Sequence, residues 1–296
     1  MIGRSRNMIG RLTSSWMGIS LVFILLFPLI IGVSLLLKSI PILGAQPLSE
    51  LLFSAEWAPT RGQFGFLPFI IGSLYVTFLS FILSAPVCLF AAIYLTHFAP
   101  VRLIRIMQPV IDILAGIPSV IYGMWGILVI VPLAGKHLAP LLGLQSPGYC
   151  IMSGGIVLAV MCIPYMLNML IEAFRTVPTG LQEASLSLGS TRWESIKKVI
   201  LRKCRPAIIS AFGLGLAKAF GETLAVMMVV GNRVQISANP FESGYPLPAL
   251  IANNYGEMLS IPMYDSALMF AALLLLVVIM VINLLFRYLI YKTQEV

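Results

Sequence analysis

Six apolar runs, each long enough to cross about 30 Å of hydrocarbon at roughly 20 helical residues, set the limits on what this chain can become. They lie near Trp16–Leu37, Phe66–Leu95, Ile104–Pro132, Tyr149–Phe174, Pro206–Val230 and Ala267–Ile290. Barrel strands would be about ten residues long with alternating polarity, and these runs neither alternate nor stop that early. A chain that is 59% hydrophobic and 10% charged, with a mean hydropathy of +0.98, has too little polar surface for a soluble globule. The reading is an all-α integral membrane protein of six transmembrane helices. No Gly/Ser linker, charge block or internal repeat divides it, so one membrane domain over 16–290 is expected, between tails at 1–15 and 291–296.

The cations fix an orientation. Arg4, Arg6, Arg11, Arg102, Arg105, Arg175, Arg192, Lys197, Lys198, Arg202, Lys203, Arg205, Arg287 and Lys292 fall on one side, fourteen in all, against Lys38, Arg61, Lys136 and Arg233 on the other. The positive-inside rule then makes both termini and the basic 175–206 loop cytoplasmic in a multi-pass membrane chain. The net charge of +8 is thereby a topology signal rather than a nucleic-acid signature. The first run is too long for a cleaved signal and reads as a retained helix.

Several chemistries lack their residues. There is no GxxxxGK[ST] loop and no HExxH, and His97 and His137 are both expected in loops. Cys88, Cys150, Cys162 and Cys204 have no CxxC or metal spacing and read as small apolar residues. No catalytic residue, metal or cofactor is expected. The far-side loops at Lys38–Gly65, Ala134–Gly148 and Gly231–Ser266 are long enough to receive a soluble partner, or to be connectors carrying interfacial tyrosines.

Ionisable groups at membrane depth demand a reason. Lys218 and Glu222 stand at i and i+4 in the fifth run, where one helical face would let them meet, either to fix packing or to line a solute route. Gly213, Gly215 and Gly221 let another backbone approach the same helix. In the third run Pro118, flanked by Gly116 and Ser119, removes a helical hydrogen bond and predicts a kink or break, which is either a packing feature or the lining of a route. Asp112 and Glu172, near the cytoplasmic ends of their spans, are assigned structural or interfacial roles.

The basic loop reads as two short amphipathic helices. Thr179–Gln182 and Thr191–Glu194 each fit a capping box, and Gly189 between them suits a left-handed turn. Leu181, Ala184 and Leu188 share one face, and Trp193, Ile196 and Ile200 share another. This is the form of an element that docks a partner.

With that loop and the two intramembrane segments in view, the chain resembles the permease subunits of binding-protein-dependent ABC importers, the six-helix type I (MetI-like) kind with a cytoplasmic coupling-helix loop. Glu183, Ala184, Ser185 and Gly189 match that family's EAA motif, and Val199 and Leu201 its later apolar pair; the proline that usually follows is replaced by Arg202, with Pro206 four residues on, which predicts a longer second helix. Segments Phe66–Ser73, Leu114–Gly126, Thr191–Val199 and Phe220–Asn232 are similar to phosphate-specific (Pst) permeases, and Tyr245–Glu257 looks like the PstC-type subunit. The family usually has arginine where this chain has Lys218, so the charge is kept and the bidentate fork is lost.

The resemblance implies a subunit without its own ATP site in an importer of inorganic phosphate. It implies a second, PstA-type permease, two copies of a PstB-type cytoplasmic ATPase and an extracytoplasmic PstS-type phosphate-binding protein, with membrane lipid around them. On that reading Lys218, Glu222, Gly116, Pro118 and Ser119 line the pathway, and Glu183, Ala184, Ser185, Gly189, Val199 and Leu201 couple to the ATPase. The residues alone leave open an ion-coupled secondary transporter or channel, an ABC permease for another oxyanion, and a membrane scaffold or sensor.

Overall fold

The computed structural model describes residues 2–256, 261 and 263–294, with backbone alone at 2–12 and 294. The Glu257 that closes the YPLPALIANNYGE segment, parts of the 231–266 loop and the end of the C-terminal tail lie outside the described residues.

In chain order the helices are α1 Ile2–Ala45, α2 Leu48–Phe53, α3 Leu67–His97, α4 Val101–Gly116, α5 Ser119–Leu141, α6 Ile151–Arg175, α7 Thr179–Ser187, α8 over 192–203, α9 Arg205–Phe220, α10 Leu224–Met227, α11 Leu247–Asn254 and α12 Tyr264–Gln294. Among the described residues five helices are long and apolar enough to cross a membrane: Thr13–Ala45 within α1, then α3, α5, α6 and Tyr264–Thr293 within α12.

Two of the six expected runs come out differently, and both differences are breaks. The third run, expected over Ile104–Pro132, divides at Ile117 and Pro118, which are extended. Its first half becomes the amphipathic α4 and its second half the spanning α5. The fifth run, expected unbroken over Pro206–Val230, ends as a helix at Phe220 and resumes only for the turn of α10. Gly221 and the β-branched Thr223 are poor helix formers, and the Glu222 carboxylate accepts the Ala225 amide at 3.4 Å, an alternative to the helical ladder.

The centre of the bundle is the pair α3 and α6, whose contact is the most extensive in the molecule. Cys88 and Ala92 meet Leu158, Cys162, Met166 and Leu170 there, all essentially without solvent exposure. All four cysteines are buried and unpaired. α1 has no buried window of its own and leans on α12. Ser266 of α12 enters the α1 hydrogen-bond ladder, donating to the Lys38 carbonyl at 2.9 Å and accepting the Ile42 amide at 3.2 Å.

The far-side loops are more ordered than their composition suggests. A two-stranded hairpin, β1 Trp57–Ala58 and β2 Gln63–Phe64, sets Trp57 edge-on to Phe64, Phe66 and Phe69 at 5.5, 5.3 and 4.9 Å. His137 lies within α5 and His97 in the last turn of α3, so neither is in a loop. The 231–246 segment caps α6: the carbonyls of Glu242 and Pro240 accept the amides of Ile151 and Met152, two of the donors any helix start leaves unpaired. It then runs into α11, whose first residues, Leu247 to Leu250, are buried.

Candidate functional site

The two breaks face each other. α5 and α10, the short pieces that follow them, pack side by side. A Cβ on Gly123 would sit 2.5 Å from Met228 Sδ and 3.3 Å from Ala225 Cα, so a side chain there would require Met228 to move and the two backbones to separate slightly. Tyr122, Val157, Ala225 and Val229 form the small apolar core that seals the junction against α6. Tyr122 also closes the first break, donating its hydroxyl to the Leu114 carbonyl at 2.8 Å. Tyr122→Phe removes one of the two donors to that carbonyl, the other being the Ile117 amide. We expect it to cost about 1 kcal/mol, read as an earlier melting midpoint.

Around this junction Gly116 ends α4, exposed, with open space where a side chain would go. Pro118 caps α5 and Ser119 is its first residue. Lys218 stands in the last turn of α9, exposed, with Nζ 4.6 Å above the ring of Tyr165 on α6, a cation–π contact. Glu222 lies past the helix end, half-buried, lining a cavity of about 10 Å³ with Ser73 and Thr77 of α3. Because α9 stops at Phe220, the i, i+4 geometry expected of Lys218 and Glu222 does not exist. The two ion pairs among the described residues are Glu172–Arg175 and Glu194–Lys198, so the expected Lys218–Glu222 contact is replaced by Tyr165 for the cation and the Ala225 amide for the carboxylate.

Four participants escape a reading that counts charges. Tyr165 follows the in-span Pro164, and its place opposite Lys218 depends on how α9 packs on α6. Asn168 on α6 accepts from Gln108 of α4 at 3.1 Å and donates to Asp112 at 3.2 Å, tying the amphipathic helix to the core. A neutral amide inside an apolar span was the available signal. Ser73 and Thr77 look like ordinary small polar residues until the fold turns them toward Glu222.

The basic 175–206 loop forms a second cluster. α7 carries Glu183 and Ala184 exposed and Ser185 half-buried, its hydroxyl 2.7 Å from that of Ser190. The expected box at Thr179 is absent: Pro178 occupies the cap and Thr179 the first helical position, so its side chain is one residue too late. The box at Thr191 is present. The Glu194 amide donates to Thr191 Oγ1 at 3.2 Å, and Glu194 Oε2 accepts the Thr191 amide at 2.9 Å. Gly189 adopts φ +83° between the two helices with nothing near its missing side chain. α8 continues through Lys203, beyond Arg202, until Pro206 opens α9. Ile196 and Ile200 are buried in the main core, with Val199 and Leu201 half-buried beside them, whereas Leu188 is 89% exposed and Trp193 47%. The second helix is thus anchored, while Leu188 at the end of the first helix and Trp193 in the first turn of the second face outward.

Thr191→Ala should cost about 1 kcal/mol of local stability, seen as roughly fivefold faster exchange of the Glu194 amide. The Glu194 carboxyl is held below its ordinary value, first by the Thr191 amide, then by the Thr191 hydroxyl and Lys198. A group whose folded value is depressed stabilises above the unfolded value and loses that contribution as pH falls through the folded one. Acidification below about pH 4 should therefore fray α8 in the wild type and change little in Glu194→Gln.

Comparison with known proteins agrees with this architecture. The profile of the family described as "Binding-protein-dependent transport system inner membrane component" matches residues 89–294. The phosphate transport system permease protein PstC of Xylella fastidiosa is 38% identical over 76% of this chain and 74% of its own, and that of Haemophilus influenzae 34% over 93% and 90%. Among solved structures, the inward-facing MetNI methionine ABC transporter superposes with a TM-score of 0.58 at 21% identity, covering 75% of this chain and 93% of that one, which speaks for the fold alone. A match across more than two thirds of the sequence, laid over a bundle of apolar spans with a paired-helix loop, establishes that the chain belongs to the family of inner membrane components of binding-protein-dependent transport systems.

Proposed function

We propose that this chain is the PstC-type permease subunit of an ATP-driven importer of inorganic phosphate. As an inner membrane component of an ABC transport system it is a transport subunit rather than an enzyme. The finer reading gives it no ATP site of its own, a PstA-type companion permease, two PstB-type ATPases and a PstS-type binding protein, with both termini cytoplasmic. The membrane domain spans 16–290, and the 175–206 loop is its coupling element.

One observation carries the substrate reading beyond the relatives' names: a cation, Lys218, stands in the last turn of α9, directly before the second of two helix breaks whose following helices pack together. A phosphate that sheds water needs charge and donors in return. Lys218 supplies the charge, and α5, which starts afresh at Ser119, supplies first-turn amides with no carbonyl behind them. Gly116 leaves room for the anion to pass. Glu222, held by the Ala225 amide rather than by Lys218, leaves that cation free for the solute. At the cytoplasmic end Glu183, Ala184, Ser185, Gly189, Val199 and Leu201 form the ATPase docking surface, with exposed Leu188 and Trp193 beside it.

The test is uptake of labelled phosphate into proteoliposomes holding the full complex, with ATP inside and binding protein outside. Uptake that needs both, and that sulfate fails to compete, is the expected result. Uptake driven by a proton gradient without ATP would favour a secondary transporter, and sulfate or molybdate transport without phosphate would reassign the oxyanion.

A further inference from the structure

The end of α8 and the start of α9 gather Lys198, Arg202, Lys203 and Arg205 around a cavity of about 670 Å³, closed by Thr293 near the end of α12. Lys198 has a partner in Glu194 at 3.7 Å, a solvent-exposed pair of little strength. Arg202, Lys203 and Arg205 have no carboxylate within 4 Å among the described residues. Like charges drawn together around a hollow repel unless an anion enters it. Leu181, Val199 and Pro206 give the hollow an apolar wall.

A second hollow, of about 160 Å³, lies in the groove between the same two helices, α9 and α12. It begins at Ser210 and reaches Leu214, opposite Phe286, Arg287 and Ile290. At 1.5 Å per residue, Gly213 is about 12 Å deeper along α9 than Arg205. Gly213 makes the floor, since a Cβ there would stand 2.5 Å from the Phe286 ring. A basic mouth where the span begins, with a second hollow one turn further along α9 that mixes Gly213, Leu214, Phe286 and Ile290 with Ser210, Asn283 and Arg287, has the outline of an amphiphile with an anionic head.

We propose that this is a binding site for an anionic phospholipid, with its phosphodiester on Arg202, Lys203 and Arg205 and one acyl chain along the α9/α12 groove. Arginine forks grip phosphate oxygens two at a time, and basic pockets between spans at the cytoplasmic surface suit such headgroups. Free inorganic phosphate would neutralise the cations but leave the groove empty, so the groove selects the lipid. Bound there, the lipid bridges the exit of the α8 helix and the last span. The site is separate from the proposed phosphate route and stands whether or not that route carries phosphate.

The purified, delipidated transporter complex would be titrated with phosphatidylglycerol, phosphatidylcholine and inorganic phosphate and followed by native mass spectrometry. Phosphatidylglycerol should be held in preference to phosphatidylcholine and resist displacement by millimolar inorganic phosphate. Arg202→Gln, Lys203→Gln and Arg205→Gln should each weaken it about fivefold, and together about a hundredfold. Ser210→Trp, which fills the groove and leaves the cations in place, should lower phosphatidylglycerol retention without affecting the charge. Equal retention of the two lipids, or an unchanged triple variant, would overturn the proposal. Displacement by inorganic phosphate would reassign the cavity to a free oxyanion. Should the triple variant fail to assemble, Ser210→Trp and the wild-type lipid preference still decide.

Discussion

Gly189→Val should leave the membrane bundle folded and cut ATP-dependent uptake about tenfold. Gly189 is at φ +83°, which a β-branched residue enters only at a cost of about 1–2 kcal/mol. Among the described residues nothing beyond its chain neighbours lies within 4 Å of the added Cβ, so the loss would not arise from an internal clash. It would arise because α7 and α8 meet at an angle set by this backbone conformation, and the proposed docking surface depends on that angle. Depleting that conformer about tenfold depletes the coupling-competent population by the same factor. Gly189→Asn separates conformation from size, since asparagine visits the left-handed region readily and should keep most of the activity. Co-purification with the ATPase and uptake would be measured together. If valine and asparagine behaved alike, or if valine were without effect, the turn would lose its coupling role.

The spans were legible in the sequence because a long apolar run in lipid has one low-energy answer, a helix. α3, α6 and the transmembrane part of α12 fall close to where hydropathy puts them. The breaks were half legible. Pro118 announced the first, since its ring forbids a helical bond. Gly221 passed as a packing residue because one glycine in an apolar run costs a helix only about 1 kcal/mol, too little to signal its end. What ended α9 is the combination of Gly221, Thr223 and a carboxylate that bonds forward to Ala225. The same misreading carried Lys218 and Glu222 into a pair that does not form. Helical spacing predicts contacts only while the helix lasts.

The basic loop shows the opposite balance. Its local rules were readable one residue at a time: a positive φ at Gly189, a reciprocal cap at Thr191 and Glu194, an α8 that continues past Arg202. Its tertiary consequence was not. Trp193, Ile196 and Ile200 share a stripe in sequence, yet the two isoleucines are buried against the bundle while Trp193 faces out. That division depends on the position of Phe174 and Cys204, which close the core from neighbouring helices. It bears on the proposed function because an anchored α8 could transmit force into α9, with which it is continuous but for Cys204, and α9 carries Lys218 in its last turn.

Lys218→Gln should reduce phosphate uptake about a hundredfold and leave assembly of the complex unchanged. The cation projects from the last turn of α9 over the Tyr165 ring, directly before the second break, and the described residues give it no carboxylate partner. Its removal therefore strands no buried opposite charge, and the fold should tolerate it. A passing anion would notice. At about 4 Å and an effective dielectric near 20 the attraction is of order 4 kcal/mol, and partial hydration of the anion brings the usable share to about 3 kcal/mol, or roughly a hundredfold. Lys218→Arg keeps the charge and adds a planar fork, so uptake should persist and phosphate binding tighten. Tyr165→Leu removes only the ring that positions the cation, for an expected loss of two- to fivefold. Graded losses in that order, Gln well beyond Leu and Arg near wild type, identify a charge acting on a solute. Equal tolerance of all three would reduce Lys218 to a packing residue and move the selective element to the companion permease.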